Sequence, residues 1–165
     1  MSLKKKLIIF FVFFLTISTT TKVFAAELNL PNTLINPDKY LFFGVKRLVE
    51  KVMIFTKLSK DSKTEYYKDL TLKRMAELKY VVENKLLGEV EQSSQRLSYQ
   101  IGILSDYLNA NKTELTKRKQ TISDLLFSYK SVLENLRDKY PANSSYWMLV
   151  QHSMNSIDLN LEKLK

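Results

Sequence analysis

Side chains able to carry out chemistry are few. His152 is the only imidazole in the 165 residues, and cysteine is absent, so a zinc-type site would lack the convergent donors it requires. A lone histidine in the middle of a predicted helix reads as an ordinary surface or core residue rather than a base. Glu89 and Glu91 are two apart, a spacing that sends side chains to different sides of a helix; they read as a solvated face rather than a calcium site. No glycine-rich phosphate loop, nucleophile motif or paired-carboxylate signature stands out. The sequence therefore predicts a chain that is not an enzyme and uses no cofactor or metal. Without cysteine, disulfides, thiol catalysis and a lipid-modified N-terminal cysteine are excluded as well.

Charge placement says more. Residues 38 to 60 hold six basic and two acidic side chains, a net +4. At 100 degrees per residue, Lys39, Lys46, Arg47, Lys51 and Lys57 fall opposite a stripe running from Leu41 to Phe55, and Phe43 and Ile54 fall among the basic residues. Apolar groups inside a basic face are the pattern of a helix that rests on an anionic surface. The plainer alternative is a helix covered on two sides by its neighbours, its lysines splayed outward on long stems. The predicted contact set is thus Lys39, Phe43, Lys46, Arg47, Lys51, Ile54 and Lys57. Its predicted partner is an anionic envelope surface, acidic lipid or wall polymer, or else another protein.

The envelope enters through the N-terminus. Lys4, Lys5 and Lys6 precede an uncharged apolar run, residues 7 to 18, the layout of a signal peptide. The run is shorter than the roughly 20 residues that span a bilayer as a helix; retention as an anchor is the alternative. Val23 and Ala25 supply the small side chains that signal peptidase tests, which predicts a mature chain from Ala26. Residues 1 to 25 carry four of the 26 basic side chains and no acidic ones, leaving 22 against 17, a net +5. Export and the placement of five of the nine phenylalanines within residues 1 to 25 argue against a nucleic-acid partner. The alternatives to an exported binding domain are a periplasmic-type helical chaperone or stress protein and a structural oligomerisation module; oligomeric state is left open.

The elements that must hold these residues read as helices throughout. The whole chain contains three glycines and three prolines, and apolar residues recur at helical spacing. Asn36 and Pro37 make a helix start, and Leu41, Val45, Leu48, Val52 and Phe55 advance by four and three, one apolar stripe on a first helix ending near Leu58. A second helix starts around Asp61 or Ser62, carries Tyr66, Leu70, Ala76 and Val81, pairs Asp69 with Lys73, and breaks near Leu87-Gly88. A third, built on Val90, Leu97, Ile101, Leu104 and Leu108, runs to about Asn109. Thr113 caps a fourth, with Leu115, Ile122, Leu125, Leu126, Tyr129, Val132, Leu133 and Leu136 inward, stopped before Pro141. Ser144 or Ser145 caps the last, with Tyr146, Leu149, Val150, Ile157, Leu161 and Leu164. Short connections favour antiparallel neighbours. The predicted organisation is a signal peptide over 1–25, an extended spacer over 26–36, and over 37–165 an all-α, up-and-down bundle of four to five helices. A long two-helix hairpin with a loose tail is the alternative. About 140 residues can bury roughly two thirds of their unfolded surface without staples.

Residues 36 to 87 also carry a resemblance. Lys46, Arg47 and Glu50 in VKRLVEKV, followed by Lys73, Arg74, Ala76 and Glu77 in KDLTLKRMAELKYVVENK, resemble a small helical domain of unknown function found in exported or membrane-anchored proteins of actinobacteria and candidate-phylum bacteria. This chain has Tyr40-Leu41 where that family has Ser-Pro, and Gly44 interrupts the aromatic turn. The resemblance implies an exported helical fold and no assigned activity.

Overall fold

The computed structural model describes Leu30, residues 43–111 and residues 113–165, with only the backbone given for Phe43, Gly44 and Lys46. The expected signal peptide, the spacer apart from Leu30, the first helix start and Lys39 lie outside the described residues. Within them the chain is helical, with no strand: α1 (Phe43–Met53), a 3-10 turn (Ile54–Thr56), α2 (Lys60–Glu83), α3 (Leu87–Ala110), α4 (Thr116–Arg137) and α5 (Ser145–Lys163).

Helices α2 to α5 form the bundle. The chain runs up and down, yet its spatial order is not its sequence order. Packing joins α2 to α3, α3 to α5, α5 to α4 and α4 to α2, so the consecutive helices α3 and α4 lie across the diagonal. Side-chain partners give the directions. Tyr67 and Tyr107 meet edge to face at 5.2 Å across α2 and α3, while Arg137 reaches Gln151 and Lys130 reaches Asp158 across α4 and α5; both pairs are antiparallel hairpins. Between the hairpins the helices run parallel. Arg118 holds Asp61 and Glu65 while Lys139 holds Glu83, and Ser94 meets Ser153 while Asp106 meets Lys163.

The core is what the periodicity demanded. Val90, Leu97, Ile101, Leu104 and Leu108 of α3 are buried, as are Ile122, Leu126, Tyr129, Leu133 and Leu136 of α4. Steps of three and four keep such residues on one side of a helix. Met75, Leu78, Val81, Val150 and Ile157 complete the core, and Leu30 packs against it. Small residues let α3 and α5 approach closely: the hydroxyls of Ser94 and Ser153 lie 2.7 Å apart, and Ser94 also donates to the carbonyl of Leu149.

Two boundaries and one ion pair depart from expectation. The α2–α3 break falls at Asn84 to Leu86 and not at Leu87-Gly88, which opens α3. Lys85 takes the left-handed conformation at φ 55°, its N–H donates to Val82 and that of Leu86 to Val81. This is the Schellman closure, which usually employs glycine. Thr113 does not cap α4. The carbonyl of Asn111 accepts from Glu114 and Leu115, carrying a turn on until Leu115 is buried and the helix starts at Thr116. Nor does Lys73 pair with Asp69; it turns to Glu50. At α5 the expected cap is present, Ser144 accepting from Trp147.

Candidate functional site

Helix α1 attaches to the bundle in an unexpected orientation. A stripe of Val45, Leu48, Val52 and Phe55 would ordinarily face the core. Here all four are exposed, Phe55 to 80%, and Val49, Met53 and Leu58 join them. The cause lies in α2, where Arg74 and Glu77 are buried and bonded to each other at 2.7 and 2.9 Å. An apolar helix laid over Lys73 and Arg74 would strip water from charge without replacing it, which is expensive. Instead α1 turns Glu50 inward. Its carboxylate accepts from Lys73 and from Arg74, and its backbone carbonyl accepts from the Tyr66 hydroxyl at 2.8 Å.

These contacts bring together two stretches that sequence spacing alone could not join. Glu50, Arg74 and Glu77 side chains are 14%, 8% and 4% exposed, so the network is shielded from solvent. Burial pushes the Glu50 carboxyl up, but the Lys73 hydrogen bond and the Arg74 and Lys73 charges outweigh it and hold Glu50 below the ordinary value. Burial and the Glu50 charge push the Tyr66 hydroxyl up.

Between α1, α2 and α3 lies a groove of about 660 Å³. The first helix and its 3-10 turn contribute Arg47, Lys51 and Ile54, with Leu48 and Phe55 of the exposed stripe bordering it as well; α2 contributes Tyr66, Tyr67, Leu70 and Arg74; α3 contributes Arg96, Tyr99 and Ile103. The predicted contact residues whose side chains are described therefore lie at or beside this groove. Arg47 and Ile54 are half-buried in the groove, and Lys51 is exposed at it. Lys57 sits 5.6 Å over the Tyr66 ring, a cation–π contact. The side chains of Phe43 and Lys46, like Lys39, lie outside the described residues. Sequence reasoning missed the outward stripe and the tyrosines of the groove; the signal that could have found them is the polar run Lys73, Arg74, Glu77 inside an otherwise core-facing helix.

Among the described residues, His152 is exposed on α5, Glu91 accepts a hydrogen bond from Gln95, no group of three potential metal ligands converges, and no helix is long and apolar enough to cross a membrane. No family model, curated protein or solved structure matches the chain.

Proposed function

We propose that this chain is an exported, non-catalytic binding domain that rests on an anionic surface of the cell envelope through α1. The observation that carries the reading is the outward apolar stripe of Val45, Leu48, Val52 and Phe55, on a helix held to the bundle by ion pairs and a hydrogen bond. Insertion of such a stripe to the headgroup boundary gains roughly 25 cal/mol for each Å² of apolar surface removed from water. The basic excess of the same segment, net +4 over residues 38 to 60, adds about 1 kcal/mol for each cation whose long stem reaches the surface.

Cosedimentation with anionic vesicles tests this. The mature protein should pellet at low salt and be released as salt rises, since the Debye length shrinks to roughly 8 Å at physiological ionic strength. Changing Lys39, Lys46, Lys51 and Lys57 together to Gln should abolish pelleting, and Val45→Ser with Val52→Ser should weaken it at every salt concentration. Wild-type protein remaining in the supernatant at low salt contradicts the reading.

A second reading, a helical chaperone cradling apolar segments, draws on the groove beside α1. Its volume of about 660 Å³ falls in the range of small-molecule sites, roughly 300–1,000 Å³, which favours a small ligand over a peptide segment.

A further inference from the structure

Gln100 of α3 belongs to the lining of the groove and is only 7% exposed, yet its side-chain Nε2 has no hydrogen-bond partner among the described residues. A donor withdrawn from water and left unsatisfied is unfavourable, so it points to an acceptor from outside the chain. The rest of the lining narrows what that acceptor belongs to. Ile54, Leu70 and Ile103 are half-buried walls, and the exposed Leu48, Phe55 and Tyr99 form the rim. The charges are matched: Arg74 is bonded to Glu50 and Glu77, Glu50 also to Lys73, and Arg47 and Arg96 have partners of their own. Lys51 is exposed and keeps its water. A charged ligand entering here gives up hydration to groups already engaged, whereas hydrocarbon meets walls of its own kind.

We propose that this groove binds one uncharged, largely apolar molecule bearing a carbonyl group. Its oxygen accepts from Gln100 Nε2, and its hydrocarbon lies along Ile54, Leu70 and Ile103. A carbonyl fits better than a hydroxyl because it accepts without bringing in a donor that needs a partner in turn. Predominantly apolar walls with a few placed polar groups are the general form of a small-molecule site. Leu48 and Phe55 belong to the rim and to the outward stripe alike. Binding nevertheless takes place in free solution, so the proposal does not rest on the contact of α1 with an anionic surface.

Butyrophenone and butylbenzene share one carbon skeleton and differ by a carbonyl in place of a methylene; phenylbutyrate carries a carboxylate at the end of the same chain. Titrated into isotope-labelled protein and followed by NMR, butyrophenone should bind one to one and shift the side-chain amide signals of Gln100. Gln100→Leu removes the unsatisfied donor; it should weaken butyrophenone about tenfold, the scale of one hydrogen bond, and leave butylbenzene within about twofold of its wild-type affinity. Phenylbutyrate should bind the wild type at least about tenfold more weakly than butyrophenone, for want of a free counter-charge. The pair Val45→Ser and Val52→Ser, outside the groove lining, should keep butyrophenone affinity while losing vesicle binding, so failure of one proposal is told apart from failure of the other. Four results would each overturn this one: no butyrophenone binding by the wild type, a Gln100 amide signal unmoved at saturation, equal losses for ketone and hydrocarbon in Gln100→Leu, or phenylbutyrate matching butyrophenone. All but the third are read on the wild type, whatever the folding of the variant.

Discussion

Glu50 of α1 and Arg74 of α2 share a shielded ion pair, and that pair decides which side of α1 meets the bundle. Lys73 and the Tyr66 hydroxyl reinforce it from the same helix. Replacement of Glu50 by Gln should therefore release α1 while leaving the bundle folded. Released, Lys73 and Arg74 regain water, so the global loss should stay near 1 kcal/mol, below the roughly 3–5 kcal/mol of a charge left buried and unpaired. Amide exchange should accelerate over Phe43–Met53 and hold steady in α3 and α5. Unchanged exchange in α1 would mean the attachment lies elsewhere.

Acid should act through the same carboxyl. Glu50 titrates below its ordinary value of 4.5; a group whose pKa is depressed by folding contributes stability that is complete above the unfolded value and lost as pH falls through the folded one. Attachment of α1 should thus be constant at neutral pH and fail only below about 4.5. Amide shifts of α1 followed by NMR should show this step in the wild type and lack it in Glu50→Gln. A step of equal size in both would assign the acid response to another group.

Core packing gives a prediction independent of function. Leu126 and Leu133 are both fully buried on α4, so changing either to Ala should cost roughly 2 to 5 kcal/mol by chemical denaturation. A loss below about 1 kcal/mol at both would contradict the bundle.

Two backbone positions should respond to opposite changes. Lys85 holds a left-handed conformation, φ 55°, which costs a residue bearing a Cβ roughly 1–2 kcal/mol, so Lys85→Gly should stabilise. Gly102 lies inside α3, and an added Cβ there meets nothing within 4 Å; Gly102→Ala should gain up to about 1 kcal/mol of helix propensity. A fall in melting temperature in either variant would contradict the local geometry.

The Tyr129 ring is fully buried, and its hydroxyl has no hydrogen-bond partner among the described residues. Burial, aided by the Asp69 charge, pushes that hydroxyl well above the ordinary tyrosine value. Because an unsatisfied buried hydroxyl is unfavourable, Tyr129→Phe should leave stability unchanged or raise it by about 1 kcal/mol. A loss beyond that would reveal a partner for the hydroxyl.

What could be read from the sequence divides at α1. In α3, α4 and α5 the apolar residues step by three and four and nothing competes with their burial, so periodicity named Leu97, Ile101, Leu126, Leu133 and Ile157 correctly. The same spacing identified Val45, Leu48, Val52 and Phe55 as sharing a side, but periodicity carries no sign: it tells which residues lie together and not whether they face in. That was settled by Arg74 and Glu77, distant in sequence, which need a carboxylate and not a methyl group against them. The α2–α3 break was misplaced for a local reason, because Lys85 stands where a glycine would have marked it. Of the predicted contact residues, Arg47, Lys51 and Ile54 come together at the groove. Their association with Tyr67 and Tyr99 depends on three helices meeting and has no counterpart in any one stretch.

The central claim is that the outer side of α1 is the contact surface. Since the chain contains no cysteine, Val52→Cys and Phe127→Cys each accept a single environment-sensitive fluorophore, at exposed positions on α1 and α4. On addition of anionic vesicles, the label at residue 52 should shift to the blue and its shift should reverse with salt, while the label at residue 127 stays as in water. No shift at residue 52, equal shifts at both positions, or a residue 52 label already shifted without vesicles in proportion to protein concentration would contradict the account, the last by showing α1 covered by a second copy of the chain.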